Sequence, residues 1–200
     1  MISHILFDID GVVLCKRKRL FSKVLAEEFG ASEHEDMLPF FTGPFQKCIV
    51  GKADLKQELV PYLPKWRYPH GVDALIVNWF EHERTLEDRI LREVAILRAK
   101  GIRCFLATDN EKYRTEYLWT NLDLKSQFYG IFSSSILGVR KSTPEFWAKA
   151  FEQVQAIDRR SVLVWDDEEE NVTAAKAFGL SAEFYTDFTN YLQKTANYMN

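Results

Sequence analysis

The chain is short of cysteine, of net charge and of long apolar runs, and each shortage removes a class of protein. Its three cysteines, Cys15, Cys48 and Cys104, are odd in number, widely spaced and without metal-ligand spacing. They argue against a disulfide scaffold and for a reducing compartment. A net charge of −3 disfavours a dedicated nucleic-acid or membrane-surface binder. No apolar stretch approaches the roughly 20 residues needed to span a bilayer. The N-terminus enters a strand pattern at once, with no cationic stretch leading into an apolar signal. Internal repeats and low-complexity segments are lacking as well. These absences leave a cytoplasmic protein, monomer or homodimer, with no nucleic-acid or membrane partner. Its 200 residues suit one α/β core with a modest insertion.

The strand candidates are residues 4–7, 102–107, 130–132, 161–165 and 182–185. From about residue 86 they alternate with amphipathic helices expected at 87–100, 112–121, 144–155 and 171–178. In the first of these helices Ile90, Leu91, Val94, Ile96 and Leu97 fall at near-helical spacing, and Gly101 closes it. Pro144 suits a first helical turn. Such alternation implies a parallel sheet covered on both faces, since parallel strands need crossover helices. The predicted class is therefore α/β, with a Rossmann-like parallel sheet core. Residues 15–84 read differently. They lack obvious strands, show helical patches at 20–29, 55–62 and 72–82, and hold Pro39, Pro44, Pro61, Pro64 and Pro69, five of the six prolines in the chain.

Three of the predicted strands end in oxygen-bearing side chains: Asp8 and Asp10 after the first, Thr108 after the second, Asp166 and Asp167 after the fourth. Ligands bind at the carboxyl ends of strands in open α/β sheets. Lys141 is the one cation the sequence places to join them. Four carboxylates, a hydroxyl and an ammonium on one rim make electrostatic sense around a divalent cation and an anionic substrate. Asp8 and Asp10 stand two positions apart, so in extended geometry both leave the same face, and Gly11 then lets the backbone turn sharply away.

In motif order this chain resembles the haloacid dehalogenase (HAD)-like hydrolases, which include aspartate-nucleophile phosphatases and phosphomutases. Asp8-Ile9-Asp10-Gly11-Val12 matches the first motif, Thr108 the second, Lys141 within Gly138-Val139-Arg140-Lys141 the third, and Asp166-Asp167 followed by Asn171 the fourth. The resemblance implies a core of residues 1–14 and 85–200, interrupted by a helical cap of C1 type at 15–84. It implies that Asp8 attacks phosphorus to give an aspartyl-phosphate, and that Asp10 protonates the leaving oxygen and then deprotonates water. It further implies Mg²⁺ held by Asp8, the backbone carbonyl of Asp10 and Asp167, with Asp166 acting from behind. Thr108, the backbone of Asp109 and Lys141 would receive the substrate phosphate. Relatives that cleave carbon–halogen bonds lack an acid at the position of Asp10, because halide leaves without a proton.

The expected activity is thus a Mg²⁺-dependent phosphatase acting on a small phosphorylated metabolite. A phosphomutase on the same fold and a non-catalytic phosphate-binding regulatory protein are the alternatives. A phospho-accepting signalling receiver is disfavoured, because its adjacent acidic pair comes early in the chain rather than last. Two departures from the family pattern stand out: Asp109 where asparagine commonly follows the threonine, and Ser142 where proline commonly follows the lysine. Lys16-Arg17-Lys18-Arg19 is read as a solvated run, and Glu168, Glu169 and Glu170 as acids favouring a helix N-terminus. Trp66, Trp79 and Phe80 are read as packing before pocket wall. His4, His34, His70 and His82 show no ligand spacing.

Overall fold

A computed structural model describes residues 1–199. Five parallel strands form one sheet: β1 His4–Phe7, β2 Arg103–Thr108, β3 Ile131–Ser133, β4 Val162–Asp166 and β5 Ser181–Phe184, in the order β3-β2-β1-β4-β5. β1 is central, aligned with β2 (Phe7 beside Leu106) and with β4 (Phe7 beside Trp165). The chain leaves β1 toward β2 and β3, then returns across it to β4. This reversal opens a crevice at the carboxyl ends of β1 and β4, the place where α/β sheets of this kind bind ligands.

Alternation along the strands sorts the core into two faces. Ile5, Phe7, Cys104, Leu106, Leu163 and Trp165 pack on one side, and Leu6, Phe105, Ala107, Val162 and Val164 on the other, as a period of two requires. The first face is covered by the helices Asp88–Ala99 and Phe188–Met199, the second by Pro144–Val154 and Glu169–Phe178. Near-continuous burial of the strands on both faces explains their unbroken apolar runs.

Between β1 and the helix Asp88–Ala99 the described elements are helical. They are α1 Phe21–Phe29, a single wide turn at Glu33–Met37, α2 Leu38–Thr42, α3 Pro44–Ile49, α4 Leu55–Leu59 with a tight 3-10 turn Val60–Tyr62 after it, and α5 Val72–His82. Pro39 and Pro44 stand in the first turns of α2 and α3, where a missing N–H costs nothing. This insertion has its own apolar cluster around Met37, Phe40, Leu55, Leu59, Trp66 and Leu75. The two chain segments that enter and leave it run side by side: Cys15 N donates to Thr85 O (2.8 Å) and Glu87 N to Val13 O (2.8 Å).

In the core the helices continue as α6 Asp88–Ala99, α7 Lys112–Glu116, α8 Leu124–Gln127, α9 Ser134–Leu137, α10 Pro144–Val154, α11 Glu169–Phe178 and α12 Phe188–Met199. α7 widens into a π turn over Tyr117–Asn121, so the single helix expected at 112–121 is two consecutive pieces. α11 begins two residues before the expected 171. α8, α9, α12 and the helices between residues 33 and 49 had no counterpart in the sequence reading. No described helix is long and apolar enough to cross a membrane.

Candidate active site

Asp8 follows β1 directly, its N–H bonded to Trp165 O (2.8 Å) on the neighbouring strand. Asp166 ends β4. Both are buried, and one ammonium serves them: Lys141 Nζ donates to Asp8 Oδ1 (2.5 Å) and to Asp166 Oδ2 (2.8 Å). Asp166 is satisfied further, because its Oδ1 accepts from Glu168 N and from Asn171 Nδ2, each at 3.0 Å. Burial works to lower the Lys141 ammonium, but Asp166, Asp8 and Asp109 outweigh it and hold the lysine ionised. Burial pushes the Asp8 carboxyl well up; Lys141 draws it down and Asp166 adds to the rise. Two buried carboxylates share one cation, and Asp8 is the less well compensated.

Asp167 is the next residue, half-buried, and its carboxyl is also raised, by burial first and Asp166 second. It lies across Gly11: a Cβ there would stand 2.3 Å from Asp167 Oδ2, and Gly11 has φ +96°. Glycine at position 11 is what lets the two loops meet. Asp8, Asp166 and Asp167 each offer an oxygen within 4.8 Å of the others. Hard oxygen donors with an excess of negative charge fit Mg²⁺. Asp166 has both oxygens engaged by protein donors, whereas Asp167 is the member of the adjacent pair open to a cation.

Thr108 ends β2 and is buried. Asn110 Nδ2 donates to Thr108 Oγ1 (2.6 Å) and to Asp10 Oδ2 (2.9 Å). The Thr108 oxygen is therefore an acceptor here, which leaves its own O–H to donate. Asp109, the unusual acid, has its carboxylate taken by protein donors: its Oδ1 accepts from Lys141 N (3.0 Å) and its Oδ2 faces Arg140 Nη1 (3.4 Å). The carboxylate that would repel a phosphate instead ties the β2 loop to the lysine loop. Trp147 in α10 completes that anchor by donating Nε1–H to Lys141 O (2.7 Å).

Lys141 is not the only cation at the rim, which corrects the sequence reading. Arg17 bonds Asp10 Oδ1 and pairs with Glu83 Oε2 (3.0 Å). Arg114 Nη2 stands 3.6 Å from Asp10 Oδ1 while donating to Glu83 O (2.6 Å), and its Nη1 donates to Phe80 O (3.2 Å). Burial alone would raise Asp10, but Arg17 and then Arg114, with the Asn110 bond, hold it below the ordinary carboxylate range. Arg140 lines the same cavity. Arg17 was hidden inside a run read as solvated, and the reading holds only for its neighbours. Arg114 left one trace, a helical position three residues after Glu111. Glu169 and Glu170 do sit in the first turn of α11, while Glu168 reaches the cavity wall.

Asp8, Asp10, Thr108, Asp109 and Lys141 form the floor of a cavity of about 380 Å³, while Asp167 and Gly11 line a neighbouring pocket. The insertion supplies the cavity's roof. Trp79 and Phe80 are in that roof, whereas Trp66 is buried inside the insertion, its Nε1–H donated to Asp36 O (2.8 Å).

A parallel α/β sheet with an acidic rim at its switch point defines the class as a Rossmann-like protein with its site at the strand ends. A family profile described as haloacid dehalogenase-like hydrolase matches residues 2–179, and the chain belongs to that family. Among solved structures it is similar to a HAD family enzyme from Bacteroides thetaiotaomicron, determined in complex with magnesium and inorganic phosphate. That match has a TM-score of 0.79 and 15% identity, over 96% of this chain and 99% of that one. A predicted HAD-like hydrolase from Porphyromonas gingivalis gives a TM-score of 0.80 at 17% identity, covering 100% and 98%. L-2-haloacid dehalogenase from Xanthobacter autotrophicus gives 0.64 at 15%, covering 98% and 83%. No curated protein matches the sequence significantly.

Proposed function

We propose that the chain is a Mg²⁺-dependent phosphatase that hydrolyses a small phosphomonoester through an aspartyl-phosphate. The observation that carries this reading is Asp10, an acid facing the same cavity as Asp8 and held by Arg17, Arg114 and Asn110. A dehalogenase has no use for it, because halide departs unprotonated, whereas an alkoxide leaving from phosphorus needs a proton. The Bacteroides thetaiotaomicron enzyme with magnesium and phosphate bound supports the same direction.

Asp8 attacks phosphorus as the bond to the leaving oxygen breaks, and Asp10 delivers a proton to that oxygen. Water then attacks the aspartyl-phosphate, Asp10 takes its proton, and the bond from phosphorus to Asp8 breaks. Arg17 and Arg114 favour Asp10 as a carboxylate, the form the second step needs. For the first step Asp10 must carry a proton, which requires Arg17 to release it. Thr108 O–H, the backbone N–H groups of Asp109 and Asn110, and Lys141 receive the phosphoryl oxygens. Asp8, Asp167 and the Asp10 carbonyl would hold Mg²⁺, with Asp166 fixing Lys141 from behind. Bound there, Mg²⁺ supplies the positive charge that keeps Asp8 ionised and neutralises the phosphoryl group. Residues 15–84 act as a cap on a core of 1–14 and 85–200, and they exclude water during chemistry. The three unbridged thiols suit a cytoplasmic setting.

The test is hydrolysis of acetyl phosphate and an aryl phosphate by wild type and Asp8→Asn, each with and without Mg²⁺. Turnover should need the metal, and Asp8→Asn should lower kcat by about 10³-fold or more. Wild-type rates from the variant would sink the nucleophile assignment. Transfer to an acceptor hydroxyl in place of water would indicate a phosphomutase. No turnover from folded protein would favour a non-catalytic phosphate binder.

A further inference from the structure

The cavity is made of two unlike halves. Its floor is charged, but the roof that the insertion contributes is largely aromatic: Phe21, Phe41, Phe45, Trp79 and Phe80, with Met37 beside them. Trp79 is their centre. It lies parallel to Phe21 (centroids 6.4 Å apart, planes 6° apart), edge-on to Phe41 (5.6 Å, 89°) and tilted against Phe45 (5.6 Å). Phe21, Phe80 and Met37 also belong to the insertion's own buried cluster with Phe40 and Trp66, and Phe41, Phe45 and Trp79 pack only on its edge. Phe41, Phe45 and Trp79 stay half-buried and line the cavity.

Polar groups on this roof are few and largely committed. The Glu83 carboxylate is taken by Arg17 (3.0 Å) and by Phe21 N (3.4 Å), and Ser22 Oγ donates to Glu33 Oε1 (3.4 Å). A polyol seated against such a wall would lose water from each hydroxyl and find almost no partner. A flat apolar ring would instead stack or meet edges with Phe41, Phe45 and Trp79, the arrangements aromatic rings favour. The volume, about 380 Å³, is near the lower end for small-molecule sites, room for a phosphoryl group and a single- or fused-ring body.

We infer that the ligand is a phosphate monoester of an alcohol bearing a flat aromatic body, with its phosphoryl group on the Asp8 rim and its ring among Phe41, Phe45 and Trp79. The inference rests on the phosphatase reading for the turnover of this ligand, and on the cavity alone for its shape. Glu33 is the acceptor left for an N–H or O–H carried by the ring.

Two measurements on the wild-type chain with Mg²⁺ separate the two claims. The first compares kcat/KM for benzyl phosphate and glycerol 1-phosphate, both esters that release a primary alcohol, with acetyl phosphate as a probe that has no ring. The second measures binding of benzylphosphonate and 2,3-dihydroxypropylphosphonate, which cannot turn over. Benzyl phosphate should be preferred by about 100-fold, with a similar preference between the phosphonates, and Trp79→Ala should shrink it about tenfold. Turnover of acetyl phosphate with no benzyl preference overturns this inference and leaves the phosphatase reading standing. No turnover of any phosphate, with benzylphosphonate still preferred, sinks the phosphatase reading and supports the aromatic ligand. No turnover and equal phosphonate binding overturns both.

Discussion

The α/β core and the helical insertion spend aromatic residues in opposite ways. In the core Trp147 and Trp165 are fully buried, and Trp147 uses its N–H to fix the Lys141 loop. In the insertion Phe41, Phe45 and Trp79 keep open faces toward the cavity. The rim carboxylates divide the other way, although Arg17 of the insertion reaches Asp10. The carboxylates come from the ends of β1 and β4, which are held by three parallel ladders, while α2, α3 and α4 of the insertion are only five or six residues long. Reaction chemistry needs groups fixed to a fraction of an ångström and sits on the rigid element. Of the roof rings, Phe41 and Phe45 sit on two of these short helices and Trp79 on the longer α5. The seam between the two regions is polar: Lys112 Nζ meets Asp54 Oδ2 (2.5 Å), Tyr113 Oη donates to the same oxygen (2.9 Å), and Ser134 Oγ donates to Ile49 O (2.7 Å).

The sharpest way to break this division is to unbalance the rim. Lys141→Met leaves Asp8 and Asp166 buried without their cation. Loss of one partner from a buried ion pair costs about 3–5 kcal/mol, so the variant should unfold at much lower denaturant than wild type. Mg²⁺ should restore part of that loss, and more in the variant than in wild type, because the added cation binds only the folded carboxylates. Equal stability of the two proteins without metal would show that Lys141 does not neutralise the rim. The insertion's own cluster shares none of these charges, and tryptophan emission from Trp66 should change only when the whole chain unfolds.

A smaller effect comes from the seam. Glu111 is buried at the N-terminus of α7, where its carboxylate accepts from Arg114 N (2.5 Å) and Tyr113 N (2.8 Å). Burial outweighs those bonds and pushes its carboxyl from 4.5 up to about 7. Between these values the native state binds more protons than the unfolded chain. Stability should therefore fall as pH rises through the window, by about 3 kcal/mol at most, and level off above it. Glu111→Gln should remove that part of the slope in urea titrations at pH 5, 6 and 7. Parallel slopes for the two proteins would mean that the carboxyl titrates normally.

The rim was more legible than the roof, and the reasons are physical. Strands buried on both faces write themselves as apolar runs, so residues 4–7 were read as found and the other strands within about a residue. Asp8, Thr108 and Asp166 follow because they stand at those strand ends, whereas Lys141, in the loop between α9 and α10, was legible only through the motif it matches. The helix Val72–His82 was legible from three turns of amphipathic spacing. Helices of four to six residues carry too little periodicity to read, and packing rather than propensity forms them. α12 escaped because Phe188 and Tyr191 are nearly its whole apolar face toward the core. Arg17 escaped for another reason: one residue of four in a basic run is aimed at Asp10, and its second partner, Glu83, is far along the chain. Asp109 was flagged as odd, but only the fold shows the Lys141 N–H and Arg140 that occupy it.

The gentlest prediction separates roof from floor without touching either. Gly51 follows α3 with φ +69°, and a Cβ there would stand 2.3 Å from the backbone oxygen of Ser135 in α9. Gly51→Ala must therefore bear a left-handed alanine, at about 1–2 kcal/mol, and must also push the insertion off the core where Ser134 bonds Ile49. In a chain of this size that is about 2–8 °C in Tm. The catalytic groups lie elsewhere, so the damage should appear in KM for a substrate with a bulky body before it appears in turnover of acetyl phosphate. If both fall together, the seam transmits strain to the rim, and floor and roof are one rigid unit. If only KM moves, the roof is a separable part that can change its ligand while the chemistry beneath it stays fixed.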